Sequence, residues 1–132
     1  MKLITRDTDY ALRAVCFIAK SKERLYPVSS LVKNLRIPGP FLRKLLQVLH
    51  NKGILNSFKG KGGGFSLAKP PEDIFLTDIM HIFQGEFCLN ECSLGKGICP
   101  HTKDCPLRER ILRIEKYVRK ELSSVAVASL IK

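Results

Sequence analysis

Apolar positions along this chain change their spacing several times, and each change marks an element. Leu12, Val15, Cys16 and Ala19 follow the i, i+3, i+4, i+7 pattern of a buried helical stripe, which predicts a first helix over residues 8–20. A loop through Arg24 and Pro27 follows. Val28, Leu31, Val32 and Leu35 repeat the helical spacing, and Ser29 or Ser30 is placed to cap this second helix. The break Arg36-Ile37-Pro38-Gly39-Pro40 comes next. Pro40 suits the first turn of a third helix, where a missing N–H costs nothing. That helix buries Leu42, Leu45, Leu46 and Leu49 and ends at Gly53 in a left-handed cap.

From Ile54 the pattern becomes that of strands, over residues 54–59 and 65–67, joined by Gly60-Lys61-Gly62-Gly63-Gly64. Such a tip needs unusual backbone angles, which glycine adopts cheaply. Pro70-Pro71 reads as a linker, and Thr77 as the cap of a short helix over 78–83. Residues 85–106 are irregular. Leu107, Ile111, Ile114 and Val118 then recur with 4-3-4 spacing, a coiled-coil seam on a helix over 107–122. Ser123 or Ser124 would cap a last apolar turn through Ile131.

Two short helices, a tight break and a glycine-rich hairpin predict a winged helix-turn-helix. The expected fold is mainly α with a small β-hairpin wing and a long C-terminal dimerisation helix. Its parts are a DNA-binding domain over 1–84, a cysteine-rich cluster-binding loop over 85–106, and a dimerisation helix with a C-terminal segment over 107–132. Hydrophobic residues form 45% of the 132, enough for a core.

Charge narrows the function. The formal net charge of +11 suits a polyanion, either nucleic acid or an anionic membrane surface. No apolar run reaches the length of a membrane span, and Met1-Lys2-Leu3-Ile4-Thr5-Arg6-Asp7 lacks a signal core. A cytoplasmic protein that binds double-stranded DNA is the expectation. With the leucines of the third helix inward, Arg43, Lys44, Gln47 and Asn51 face outward. Arg reads guanine, and Gln or Asn reads adenine, in a major groove. Pro40 begins this face at the helix N-terminus, where recognition helices meet bases. Lys59 and Lys61 flank a tip bare enough to approach a phosphate or a minor groove. A merely solvated charged face is the alternative for any one helix; the order of elements favours DNA. The glycine run lacks the Gly-x-x-x-x-Gly-Lys-Ser/Thr pattern of a nucleotide loop. His50, His81 and His101 fall on different elements, so no enzyme or small-molecule substrate is expected.

Cys88, Cys92, Cys99 and Cys105 cluster in one stretch, whereas Cys16 is a packing residue of the first helix. Reduced cytoplasmic thiols so grouped read as a metal site. The wide gaps favour an iron–sulfur cluster over zinc, whose pairs are separated by two to four residues. Zinc and a thiol–disulfide switch remain alternatives, as does, in a different class, an iron–sulfur electron carrier.

The chain resembles the IscR/NsrR family of bacterial winged-helix regulators over nearly its whole length. The matching features are Met1-Lys2-Leu3, Tyr10-Ala11-Leu12, Ile37-Pro38 with Leu42, Gly53-Ile54-Leu55, the wing Lys59-Gly60-Lys61-Gly62-Gly63-Gly64-Phe65 and the cysteine loop. The resemblance implies a homodimer on a palindromic operator. It also implies a cluster on Cys92, Cys99 and Cys105 that senses nitric oxide, redox state or iron. Cys88 lies outside the family pattern and is either spare or a substitute for Cys92. In the IscR branch a His follows the last cysteine by three positions, where this chain has Arg108, which cannot serve. In the nitric-oxide-sensing branch an Asp of the first helix of the partner subunit completes a [4Fe–4S] cluster. The motif Thr8-Asp9-Tyr10-Ala11-Leu12-Arg13 implies Asp9 in that role, ahead of His101. A [2Fe–2S] cluster is the lesser expectation. Read without the resemblance, Asp9 pairs with Arg13 or favours the helix N-terminus.

Overall fold

The computed structural model describes residues 2–21, 23, 25–89 and 104–131. Helix α1 spans Arg6–Lys20 and starts earlier than the apolar spacing predicts, because Thr5 caps it by accepting from the Thr8 N–H at 3.4 Å. The start is also tied to the far end of the domain. Thr8 Oγ1 donates to Gln84 Oε1 at 2.7 Å, the Thr5 N–H donates to the same oxygen at 3.0 Å, and Gln84 Nε2 donates to the Leu3 carbonyl at 3.0 Å.

α1 is the central helix and packs against the other helices and the wing of the reader. Its most buried positions are therefore Thr8, Ala11, Ala14, Val15 and Ile18, while Leu12, Cys16 and Ala19 are only half-buried. The buried stripe is rotated by one residue from the predicted one, since alanine's small side chain lets neighbouring helices approach closely. α2 (Val28–Leu35) is preceded by Pro27 rather than capped by a serine, and Ser29 and Ser30 lie inside it. It ends at Arg36, which takes the left-handed conformation (φ 56°) that turns the chain toward α3.

α3 spans Gly39–Asn51 with Pro40 in its first turn, and Gly53 follows at φ +81°. Strands β1 (Leu55–Phe58) and β2 (Gly64–Leu67) form an antiparallel hairpin with Leu55 opposite Leu67 and Phe58 opposite Gly64. Tyr26 extends this sheet, exchanging backbone bonds of 3.0 and 2.8 Å with Phe65. A 3-10 turn, Pro71–Asp73, leads to α4 (Leu76–Gln84). Thr77 lies inside α4; the Asp78 carboxylate secures its start by accepting from the Phe75 N–H at 3.0 Å.

α5 runs over Pro106–Ser123, close to its predicted extent. Ser123 and Ser124 do not begin the last helix. Their hydroxyls donate back to the carbonyls of Lys120 and Glu121 and finish α5. The short α6 (Val127–Leu130) returns to the core that α1 and α4 share. Phe75 bridges Ala126, the Leu76 N–H donates to Val125 O at 2.9 Å, and the Val127 N–H donates to Ile74 O at 2.8 Å. Val127 is fully buried with Ala11, Leu31, Leu42, Leu46, Leu49 and Ile79 in one core.

Candidate nucleic-acid interface and cysteine cleft

α3 divides cleanly. Leu42, Leu45, Leu46 and Leu49 are buried against the core, while Pro40, Arg43, Lys44, Gln47 and Asn51 are exposed on the opposite side. His50 Nδ1 lies 3.1 Å from the Leu55 carbonyl and joins the end of this helix to the wing. At the wing tip Lys59, Gly60, Lys61 and Gly62 are exposed, and Gly60 and Gly62 take φ of +89° and +81°. The Gly63 N–H donates to Gly60 O at 3.0 Å and closes the turn. Three ion pairs form among the described residues: Asp9–Arg13, Glu109–Arg113 and Glu115–Arg119. None involves Arg43, Lys44, Lys59 or Lys61, so among the described residues α3 and the wing present positive charge with no neutralising carboxylate. Exposed cations beside amide side chains on a rigid helix suit a phosphate backbone and the base edges within its groove.

The cysteines divide differently. Cys92, Cys99 and His101 lie outside the described residues. Cys88 and Cys105 line one cleft of about 310 Å³ together with Leu107, Arg108, Ile111, Leu112 and Glu115. Cys105 immediately precedes α5, at a helix end whose dipole favours negative charge. The loop's entrance is fixed to that helix. Arg119 donates to the Phe87 carbonyl at 2.6 Å and to the buried Glu115 at 2.9 Å. Thiols are donors of the type that a thiophilic metal centre takes, and what joins these two is that they line one cleft. Among the described residues, no three His, Cys, Asp or Glu side chains converge as a metal site.

Asp9 lies in the first turn of α1, 3.0 Å from Arg13. Both line a surface cleft of about 450 Å³ with Lys2, Ile4, Thr5, Arg6 and Tyr10. Within one chain, then, Asp9 takes the i, i+4 pairing that its spacing allows. Cys16 is half-buried on α1, and burial pushes its thiol above the ordinary 9.0, which suits a packing residue. Sequence reading missed Gln84 and Arg119. Gln84 joins residues 79 positions away, a contact that no local pattern announces. Arg119 had one signal, its i, i+4 spacing from Glu115.

No described helix is long and apolar enough to cross a membrane. Residues 4–132 match the Rrf2 family, described as an iron-dependent transcriptional regulator. The chain is 38% identical over 97 residues to a protein of Aquifex aeolicus (strain VF5) named for a helix-turn-helix transcriptional regulator, covering 74% of this chain and 67% of that one. It is 29% identical over 132 residues to the HTH-type transcriptional regulator NsrR of Bacillus subtilis (strain 168), covering 92% and 90%. The structure of CymR, the global cysteine regulator of B. subtilis, superimposes with a TM-score of 0.81 at 25% identity, covering 99% of this chain and 97% of that one. The expected winged helix and the resemblance read from the wing and the cysteine loop both hold. The chain belongs to the Rrf2 family of winged-helix transcriptional regulators, DNA-binding proteins and not enzymes.

Proposed function

We propose that two copies of this chain form a homodimer that reads a palindromic duplex operator with α3 and the wing, and that an iron–sulfur cluster on the 85–106 loop sets its affinity. The exposed row Arg43, Lys44, Gln47 and Asn51 over a leucine core carries the reading. In this reading Arg43 and Lys44 meet guanine edges and phosphates, Gln47 and Asn51 meet adenine, and Pro40 opens the face; their exposure on α3 supports it. Lys59 and Lys61 bring the wing tip to the flanking backbone. The second copy is supported by α5, where Leu107, Ile114 and Tyr117 are 67%, 55% and 65% exposed. A stripe this apolar on a long helix suits burial against its own copy.

Cys92, Cys99 and Cys105 would hold the cluster, three thiolates of the donor type that iron–sulfur centres take. Asp9 of the partner subunit completes the set, with Cys88 spare unless it takes the place of Cys92. Support comes from the similarity to NsrR, the family's iron-dependent description and the cleft that Cys105 lines. A bound [4Fe–4S] cluster supplies a centre that nitric oxide, oxidants or iron shortage destroys. The chain's own part is mechanical. Asp9 is on α1, and α1 packs directly on α3. Drawing Asp9 away from Arg13 toward the other subunit therefore acts on the separation of the two recognition helices, which half-site spacing fixes for a dimer.

The test is anaerobic purification followed by an absorption spectrum, iron and sulfide counts, and affinity for a duplex selected from a random pool by the loaded protein. The expected protein is coloured, retains iron in Cys88→Ala and loses it readily in Asp9→Ala. Its selected duplex is bound at least tenfold more weakly once the cluster is removed, a change of about 1.4 kcal/mol. Stoichiometric zinc in a colourless protein, or equal affinity with and without the cluster, sinks the sensor reading in favour of a zinc or thiol switch.

A further inference from the structure

We propose that Arg6, with Lys2 beside it, grips the DNA backbone outside the recognition helix as a second anchoring point. The inference rests on α3 entering the major groove. Arg6 is exposed at the first position of α1, and its guanidinium carbon stands 5.3 Å from the centroid of the Phe41 ring. Phe41 is the third residue of α3. Its ring is steadied edge-on by Tyr10, with centroids 5.8 Å apart and planes at 83°. Arg6 is thus attached to the reading helix through a cation–π contact although it belongs to another element.

Three observations separate this arginine from an ordinary solvated charge. A cation at the N-terminus of a helix opposes the macrodipole, so Arg6 is not placed there for the stability of α1. It forms no ion pair among the described residues, although Asp7 and Asp9 lie in the same turn. The cleft it lines also holds Lys2, Arg13 and a single carboxylate, Asp9, and Arg13 already neutralises that one. Among the described residues neither Lys2 nor Arg6 has a carboxylate within ion-pair distance. The charge is continuous with the reader, because Lys44 lies three residues after Phe41 and neighbours it on the helix surface. Arg6 by contact and Lys44 by helical spacing thus both neighbour Phe41. A guanidinium there matches a phosphate through its planar fork of donors, and such contacts set register without reading sequence.

The experiment measures how binding of the full-length protein to a random-sequence duplex depends on salt, by fluorescence anisotropy between roughly 50 and 200 mM. Arg6→Gln should reduce the magnitude of the log K against log salt slope by about 0.9 for each phosphate no longer neutralised. Arg6→Lys should keep the slope, which separates the missing phosphate interaction from a misfolded helix. Lys116→Gln, exposed on α5, should leave it unchanged. A wild-type slope in Arg6→Gln overturns the proposal. So does an unchanged slope with faster loss of iron, which would mean that Arg6 serves the cluster held at Asp9 and not the DNA backbone. The underlying reading fails separately: if Arg43→Ala does not relax preference for the selected duplex, α3 is not the reader.

Discussion

At the scale of single residues, the five-residue wing tip is the most constrained stretch of the interface. Gly63 has no room for a methyl group: a Cβ there would lie 2.1 Å from the Phe58 carbonyl oxygen and 2.9 Å from its carbon. Both atoms are backbone and cannot swing aside as a side-chain tip could. Gly62 differs, with φ +81° but open space around it. Gly63→Ala should therefore open the hairpin and cost about 1–3 kcal/mol, whereas Gly62→Ala should cost about 1 kcal/mol from backbone strain alone. Denaturant midpoints for the two variants check the order, and equal losses would show that the tip relaxes freely. The glycines are conspicuous in the sequence, but their separate duties are not. A run of Gly announces unusual φ, whereas the close approach at Gly63 follows from how β1 and β2 register, which only the folded chain displays. Asp9 is equally double in meaning: its spacing from Arg13 is local and legible, but a role across subunits is not a property of one chain.

At the scale of elements, α5 tests whether the apolar spacing of one helix has the second copy as its purpose. Ile111 and Val118 are half-buried, while Leu107 and Ile114, from the same 4-3-4 row, are exposed together with Tyr117. One edge of the stripe is used within the chain and the other is left open. Ile114→Glu places a charge on that open edge without touching the core. It should convert the dimer to monomer in analytical ultracentrifugation and leave the helical circular-dichroism signal in place; an unchanged mass would remove α5 from the interface. The helices themselves are legible because their periods are long and their leucines regular, as in α3. Their ends are less so. Ser29, Ser30, Thr77, Ser123 and Ser124 all look like starting caps, and none of them is one, because Pro27, Asp78 and the returning tail decide those ends. The α1 stripe shifts for a related reason: a helix surrounded on many sides buries its small residues deepest.

At the scale of the whole molecule, the chain closes on itself. It leaves the reader through the 3-10 turn and α4, passes the cysteine loop and α5, and returns through α6 to the same turn and to α1. The return is specific. Backbone bonds of 2.9 and 2.8 Å join Val125 to Leu76 and Val127 to Ile74, and both Ile74 and Val127 are fully buried. α5 is thereby attached to the reader at its C-terminal end, through α4 beside it and through α6 after it, so a displacement of α5 reaches α1, the helix that carries Asp9 and Arg6. Ending the chain after Ser124 removes both bonds, the Val127 side chain and the cover over Ile74. At about 1 kcal/mol for each bond and about 1.5–3 kcal/mol for a buried valine, the loss should be roughly 3–5 kcal/mol, a large share of a small domain's stability. Val127→Ala keeps the bonds and should lose less, about 1–2 kcal/mol. Urea unfolding of the two variants beside the native chain measures both steps. A truncated chain with the native midpoint would mean that the tail merely rests on the domain, and that α5 is anchored to the reader through α4 alone.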